Sequence, residues 1–178
     1  MFDILDDEFS QMFDEEERKK NPRIGLALTL HDPIKSLPKH RFVVLPENSV
    51  LTDVLDKLQQ YSTGCVILQK DDKISGIFTE RDAITKVIGK RLNFDEEPVN
   101  KYMTPNPECL NKEDPISWAL NKMVAGGFRH VPLVDGSKTP LGVISMQNII
   151  HHLGEFFFDE IVNLPPNPQQ KQTKQEGG

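Results

Sequence analysis

Cysteine is scarce in this sequence, with two residues among 178, and long apolar runs are missing. Cys65 and Cys109 fall in apolar runs typical of strands, and their spacing matches no metal or redox motif, so we expect buried thiols in a reducing cytoplasm. No apolar stretch approaches the roughly 20 residues of a membrane-spanning helix. Residues 1–20 are acidic where a signal peptide needs a basic start, so we expect none.

Basic charge is also in short supply. The chain has 21 Lys and Arg against 27 Asp and Glu, which gives a formal net charge of −6. Residues 1–20 hold eight acids against three bases, a charge of −5, so residues 21–178 carry only −1. Because binding to a phosphate backbone requires a basic face, nucleic acid is not an expected partner.

What the sequence does contain is an internal repeat, shifted by 65 positions. Val66-Ile67-Leu68 returns as Val131-Pro132-Leu133, and after one extra residue in the second copy Gly76–Asp82 lies over Gly142–Asn148. A unit this short cannot bury an adequate core alone, whereas two packed copies share one. We therefore expect one pseudo-symmetric domain with its binding site near the seam between the copies.

The repeat divides the chain into an acidic arm with a lead-in over 1–32, a first repeat over 33–92, a second over 93–156 and a flexible tail over 157–178. Apolar residues recur in the arm at helical spacing between the acids, which predicts a short amphipathic helix: Phe2, Leu5, Phe9, Met12 and Phe13. This apolar stripe could fold back on the protein's own core or dock on a partner, and the sequence does not separate the two.

Each copy is predicted to run strand, helix, strand, strand, helix, which makes the fold α+β. Ser49 and Asp114 are the expected N-caps of the first helices, with Pro115 at the first helical position. The second helices are expected to begin at Thr79 and Ser145.

Polar residues recur where each repeat enters its second helix. Thr79 precedes Asp82 in the first copy, and Ser145 precedes Asn148 in the second. Such a pair can cap the helix, because each side chain satisfies a free backbone N–H. A helix N-terminus can also bind phosphate, and an acid one turn later can accept hydrogen bonds from a ribose diol. Recurrence at matched positions favours a binding site without excluding simple capping.

The chain resembles a tandem pair of CBS domains, the regulatory unit often called a Bateman module. The most specific matches are Gly-Ile-Phe-Thr-Glu-Arg-Asp at 76–82 and Phe-Arg-His-Val-Pro-Leu-Val-Asp at 128–135, and Tyr102-Met103-Thr104-Pro105 is similar to the usual start of a repeat. The resemblance covers residues 33–155. It implies two β-α-β-β-α units packed as a pseudo-twofold pair with two clefts between them.

Relatives in this family hold AMP, ADP, ATP, S-adenosylmethionine or NAD in such clefts, so the resemblance implies an adenine-nucleotide ligand and no catalytic cofactor. By position, Asp82 would bind the ribose hydroxyls and Thr79 the phosphate. The adenine would lie near Leu37 and Ser62–Cys65. Asn148 lacks the charge of Asp82, so the two sites are expected to be unequal.

The cations expected near a phosphate differ between the copies. Arg129 and His130 stand where the first copy has Gly64 and Cys65, and in relatives such residues can reach a phosphate bound by the other copy. Arg129 offers fixed donors, and His130 gains charge below a pKa near 6.5. A solvated arginine and a packed neutral histidine are the structural alternatives. Arg81 is a more ambiguous candidate.

No catalytic or metal-binding arrangement is present in the sequence. His151 and His152 are adjacent and so cannot share a metal as an i, i+4 pair would. We expect a regulatory nucleotide-binding module of the cytoplasm, not an enzyme and not a membrane protein. The alternatives are a structural dimerisation module and a sensor of S-adenosylmethionine or NAD. The resemblance also implies a homodimer and allows a separate regulated protein.

Overall fold

The structure, a computed structural model, describes residues 29–38 and 41–154. The predicted arm helix and the predicted flexible tail over 157–178 lie outside these residues. In chain order the elements are a 3-10 turn Ile34–Ser36, β1 Val44–Pro46, α1 Leu51–Tyr61, β2 Cys65–Lys70, β3 Lys73–Thr79, α2 Glu80–Asp82 continued by a π-helical turn Ala83–Val87, a 3-10 turn Val99–Lys101, β4 Thr104–Pro105, α3 Ile116–Gly126, β5 His130–Val134, β6 Pro140–Ser145 and α4 Met146–Gly154. The predicted α+β class is confirmed.

Two sheets form within the described residues. The first has the order β1-β2-β3-β4, in which β1 is parallel to β2 and the other neighbours are antiparallel. The second is the β5-β6 hairpin. Where the first repeat has the parallel strand β1, the second repeat has, within its described residues, only a single parallel bridge, from Leu110 to Leu133. β4 follows the second repeat's start in sequence yet pairs with β3 of the first repeat, so the chain crosses the seam at this point.

The opening segment of each repeat packs on the other repeat. Ile34 and Leu37 are buried with the apolar face of α3, whereas Val99 is buried with that of α1. Gly76 on β3 leaves room for the segment that leads into β4, because any Cβ at position 76 would overlap the Met103 side chain. Each buried aliphatic side chain contributes roughly 1.5–3 kcal/mol, so the exchange couples the stability of the two copies.

The expected N-caps of the first helices were wrong. Val50 caps α1 and Pro115 caps α3, neither with a side-chain hydrogen bond, so Ser49 and Asp114 are not caps and Pro115 is not the first helical residue. Backbone carbonyls from the exchanged segments replace them. Leu51 N donates to Glu97 O and Ile116 N donates to Asp32 O, both at 2.9 Å. A tertiary contact thus satisfies the N–H that a side-chain cap would otherwise bind.

The seam between the repeats has a small core of its own. Cys65, Ile67 and Ile77 are buried together, and Val143 of β6 packs against them. Burial, with Glu80 nearby, raises the pKa of Cys65 to about 12, so this thiol stays protonated. Cys109 departs from expectation, because it lies between elements and is half-buried.

Candidate functional site

A cavity of about 290 Å³ lies at the seam, and both repeats line it. The first repeat contributes Gly64, Ile77, Thr79, Arg81 and Asp82, and the second contributes Thr104, Asn106, Pro107, Glu108, Phe128, Arg129 and His130. The volume is near the lower end of the ~300–1,000 Å³ typical of small-molecule sites. Six residues predicted from the sequence are therefore brought together in one place.

Thr79 and Asp82 form a reciprocal capping box at the start of α2. Asp82 N donates to Thr79 Oγ1 at 3.2 Å, and Thr79 N donates to Asp82 Oδ2 at 2.9 Å. The Thr79 hydroxyl also donates to the same carboxylate oxygen at 2.7 Å. The capping interpretation is thus correct for this pair. The cap still leaves part of the carboxylate free to bind a ligand, because a carboxylate has about four acceptor positions.

Asp82 is only 7% exposed, and its carboxylate has a second partner. Lys86 Nζ lies 2.7 Å from Asp82 Oδ1 and donates to Tyr102 O at 2.9 Å. The lysine therefore restrains the carboxylate, and it links α2 to the segment that leads into β4. Lys86 was not among the predicted site residues, although its i, i+4 spacing from Asp82 is visible in the sequence.

Arg81 joins the two repeats at the rim of the cavity. Its Nη1 donates to Gly127 O at 2.7 Å, at the end of α3. The guanidinium is therefore held by a neutral carbonyl of the other repeat. A bound anion would find its positive charge intact.

Arg129 and His130 approach the cavity from the second repeat. Arg129 is exposed, and no side-chain hydrogen bond or ion pair holds its guanidinium within the described residues. The His130 ring packs on Gly64, where an added Cβ would lie 2.7 Å from Nε2. Burial and then the Arg129 charge lower the pKa of His130 below 6.5, against an opposing effect of Glu80. With this lowered pKa the imidazole is neutral at neutral pH.

The charge of the cavity is uneven in a way that favours an anion. Its two acids are each paired with a lysine, Asp82 with Lys86 and Glu108 with Lys122 at 2.5 Å. Its two arginines, Arg81 and Arg129, pair with no carboxylate among the described residues. Positive charge therefore remains in excess at the cavity.

The second copy repeats the cap. Ser145 N donates to Asn148 Oδ1 at 2.9 Å, and Asn148 N donates to Ser145 Oγ at 3.2 Å. Neither residue lines the described cavity. By the repeat shift, the counterparts of Thr104 and Pro105 are positions 39 and 40, which lie outside the described residues.

Three further predicted residues lie away from the cavity. Leu37 is buried in the core of the second repeat. Ser62 is the exposed C-cap of α1 with a φ of 47°, and Cys65 is buried in the seam core. Instead, the apolar wall is built by Ile77 and by the segment around β4. The motif Tyr102–Pro105 was visible in the sequence as the start of a repeat. This opening segment packs on the other repeat and so lines the cavity, which was not predicted from the sequence.

Other kinds of site find no support in the described residues. No group of three or more His, Cys, Asp and Glu side chains there could hold a metal ion. Within the same residues, every helix is too short or too polar to cross a bilayer.

A family model for the CBS domain matches residues 34–89 and again residues 99–155. The chain belongs to the CBS-domain family. Among its curated relatives is the CBS domain-containing protein CBSCBSPB1 of Arabidopsis thaliana, which is 28% identical over 92% of this chain. That match spans only 32% of the plant protein, so this CBS pair corresponds to about a third of its length.

Solved CBS proteins share the fold of this chain. A CBS domain protein from Pyrobaculum aerophilum, complexed with AMP, has a TM-score of 0.61 at 24% identity over 69% of this chain and 98% of that one. The CBS domain pair of protein MJ0100, in complex with 5-methylthioadenosine and S-adenosyl-L-methionine, has a TM-score of 0.60 at 17% identity over 69% and 96%. These likenesses establish a CBS pair fold.

Proposed function

We propose that this CBS pair is a regulatory module that binds an adenosine-containing nucleotide, AMP, ADP or ATP, in the seam cavity. The observation that carries the proposal is the convergence of Asp82 and Thr79 from one repeat with Arg129 and His130 from the other around one cavity. An acid for the ribose and a cation for a phosphate are polar groups that suit a nucleotide, and Asp82 and Arg129 provide them.

Each part of a nucleotide has a candidate partner. The one acceptor position of the Asp82 carboxylate that Thr79 and Lys86 leave free would accept a ribose hydroxyl. The start of α2 would receive the phosphate, and the Thr79 hydroxyl would have to turn from Asp82 to donate to it. The base would lie against Ile77 and Pro107, and of the region expected from the sequence only Gly64 lines the cavity with them. Complexes of related folds with AMP and with S-adenosyl-L-methionine support this ligand class.

Regulation would follow from a ligand that contacts both repeats. A ligand can shift a conformational equilibrium only by its difference in affinity between two states. Asp82 and Arg129 belong to different repeats, so their contacts with one nucleotide would depend on how the repeats are oriented. Occupancy would then be transmitted as a change in that orientation or in assembly, to a further protein or to further domains.

A thermal-shift panel on the full chain tests the proposal, with AMP, ADP, ATP, S-adenosylmethionine and NAD as ligands. Selective binding to the folded state raises its apparent stability by about 2.7 kcal/mol at a ligand concentration near 100 times Kd. We expect a shift with at least one of the three adenine nucleotides, and its loss in Asp82→Ala. A response to S-adenosylmethionine or NAD alone would reassign the ligand. A flat response to all five would overturn the proposal.

The second candidate is a dimerisation module, and exposed apolar side chains favour it. Ile84 and Ile88 are 64% and 65% exposed on the helical segment after β3, and Ile150 is 60% exposed on its twin α4. Because the twin positions expose the same residue type, a homodimer could bury both faces together. Sedimentation of the wild type against Ile88→Glu tests this: a dimer that Ile88→Glu dissociates supports it, and a wild-type monomer excludes it.

A further inference from the structure

A second cleft lies on the first repeat, away from the nucleotide cavity. It is a groove of about 590 Å³ between the segment leading through β1 and the C-terminal half of α1. Its lining residues are Arg41, Phe42, Val43, Val44, Leu45, Lys57 and Tyr61, and we name it the β1 groove. β1 is the first strand of its sheet, so within the described residues its outer edge has no strand partner.

The β1 groove is apolar in its floor and basic at its rim. Arg41 and Lys57 supply two positive charges, and no acid lines the groove. Neither residue forms an ion pair with any described carboxylate. Lys57 instead lies 5.5 Å above the centre of the Tyr61 ring and donates to Gln60 Oε1 at 2.9 Å. The Tyr61 side chain is itself 43% exposed. The groove therefore offers aromatic and aliphatic surface with uncompensated positive charge.

We propose that the acidic arm of this chain, residues 1–20, docks in the β1 groove. The arm carries −5 of the net charge of −6. It also has the apolar stripe Phe2, Leu5, Phe9, Met12 and Phe13, interleaved with its acids. An amphipathic helix that lays an apolar face into a groove is a common mode of peptide recognition, and opposite charge at the rim fixes its orientation. Charge and side-chain type are thus complementary.

The arm is long enough to reach the groove. Leu30 packs on the same core cluster as Leu37, and Arg41 follows Leu37 by four residues, which limits their Cα separation to about 15 Å. Residues 21–28 connect the arm to this cluster and can span up to about 26–29 Å when extended. The connection therefore allows docking within one molecule.

The other end of the chain fits the groove less well. Residues 155–178 contain four acids against two lysines, a charge of −2, compared with −5 for residues 1–20. They also leave from the end of α4, in the second repeat. Charge complementarity therefore selects the arm over the tail.

Photo-crosslinking in the full chain tests the assignment. In Tyr61→p-benzoylphenylalanine the aromatic ring stays in the groove lining, and a photoreactive benzoyl ketone takes the place of the tyrosine hydroxyl. Trp118→p-benzoylphenylalanine is the matched control, because Trp118 is 57% exposed on the twin helix α3. Mass spectrometry should find the crosslink from position 61 in residues 1–20 of the same chain, and none there from position 118. A crosslink to residues 155–178, to a second chain, or to nothing would overturn the proposal.

A charge-reversal pair separates docking from chance proximity. Lys57→Glu should lower the yield of the crosslink from position 61 by roughly two- to fivefold, the usual effect of one exposed ion pair. Lys73→Glu is the control, since Lys73 is exposed and lies outside the groove. Triple replacement of Glu15, Glu16 and Glu17 by Lys should restore the yield in the Lys57→Glu background. A yield that Lys57→Glu leaves unchanged would contradict a charge-guided site.

Discussion

The imidazole of His130 covers Gly64 so closely that a methyl group at position 64 would lie 2.7 Å from Nε2 and 2.8 Å from Cε1. The two residues belong to different repeats, and both line the seam cavity. At matched positions the first repeat has a glycine and a cysteine where the second has Arg129 and His130. The absence of a side chain in one copy is what lets the larger side chain of the other reach the seam.

Gly64→Ala is therefore expected to destabilise the fold and to disturb the cavity. The added methyl must displace the His130 ring, at a cost of about 1–3 kcal/mol for an overpacked site. The double variant with His130→Ala should recover most of this loss, because the clashing ring is gone. Urea unfolding of the wild type, both single variants and the double variant gives the coupling. Strict additivity would show that the contact has no energetic weight.

Asp82→Asn should separate capping from ligand binding. Asn148 already makes the same cap with an amide, so Asn at position 82 should preserve the box. Its NH2 group cannot accept from Lys86, so we expect a loss of stability of about 1–3 kcal/mol from that contact alone. The loss of a charged acceptor for a ribose diol should cost about 1.5–3 kcal/mol, or about tenfold or more in affinity.

Calorimetric titration with AMP checks this, with Asn148→Ala as the comparison in the second copy. Because Asn148 does not line the described cavity, we expect a smaller loss from Asn148→Ala than from Asp82→Ala. Equal losses from the two alanine variants would refute unequal sites.

Arg129→Ala should weaken the binding of AMP more than that of adenosine. The exposed guanidinium has no competing acid among the described residues, so its effect should depend on the phosphate. A charge-assisted hydrogen bond of about 1.5–3 kcal/mol corresponds to about tenfold or more. Arg91→Ala is the control, since Arg91 is also exposed but lies outside the cavity. If both ligands weaken in equal proportion, Arg129 has a structural role only.

His130 should make the stability depend on pH. Its pKa is lowered in the folded state from an ordinary value of 6.5, so near that pH the unfolded chain binds more protons than the folded one. Stability then rises with pH, and it is lost as the pH falls through about 6.5 towards the lowered value. Between about pH 7.5 and 5.5 the wild type should lose more stability than His130→Gln. Parallel curves would show that His130 does not titrate differently on folding.

Deletion of residues 1–20 should leave a cooperative melt and a nucleotide affinity within about 1 kcal/mol of the full chain. The two large core clusters are filled by residues of the repeats, such as Leu51, Phe78, Ile116 and Met123, and the seam cavity is lined from positions 64–130. Self-association or partner binding should change instead. A molten or insoluble product would place the apolar stripe of the arm in the core, and docking at the β1 groove would fall with it.

Local pattern was enough to predict the fold class and half of the cavity. The repeat shift identified two copies of one unit, and Thr79 and Asp82 could be placed at a helix start because capping depends on residues three positions apart. Arg129 and His130, at the start of β5, could be placed together because they are adjacent in sequence. Each of these features is set by neighbours along the chain.

The other half of the cavity depended on contacts between distant segments. Periodicity shows that Leu37 and Val99 are apolar and face a core, but it does not say which repeat supplies that core. The exchange was decided by tertiary packing: β4 pairs with β3, and the carbonyls of Asp32 and Glu97 bind the first N–H groups of the opposite helices. Sequence therefore determined the parts of this CBS pair, whereas the burial and backbone pairing available only in three dimensions decided which parts meet.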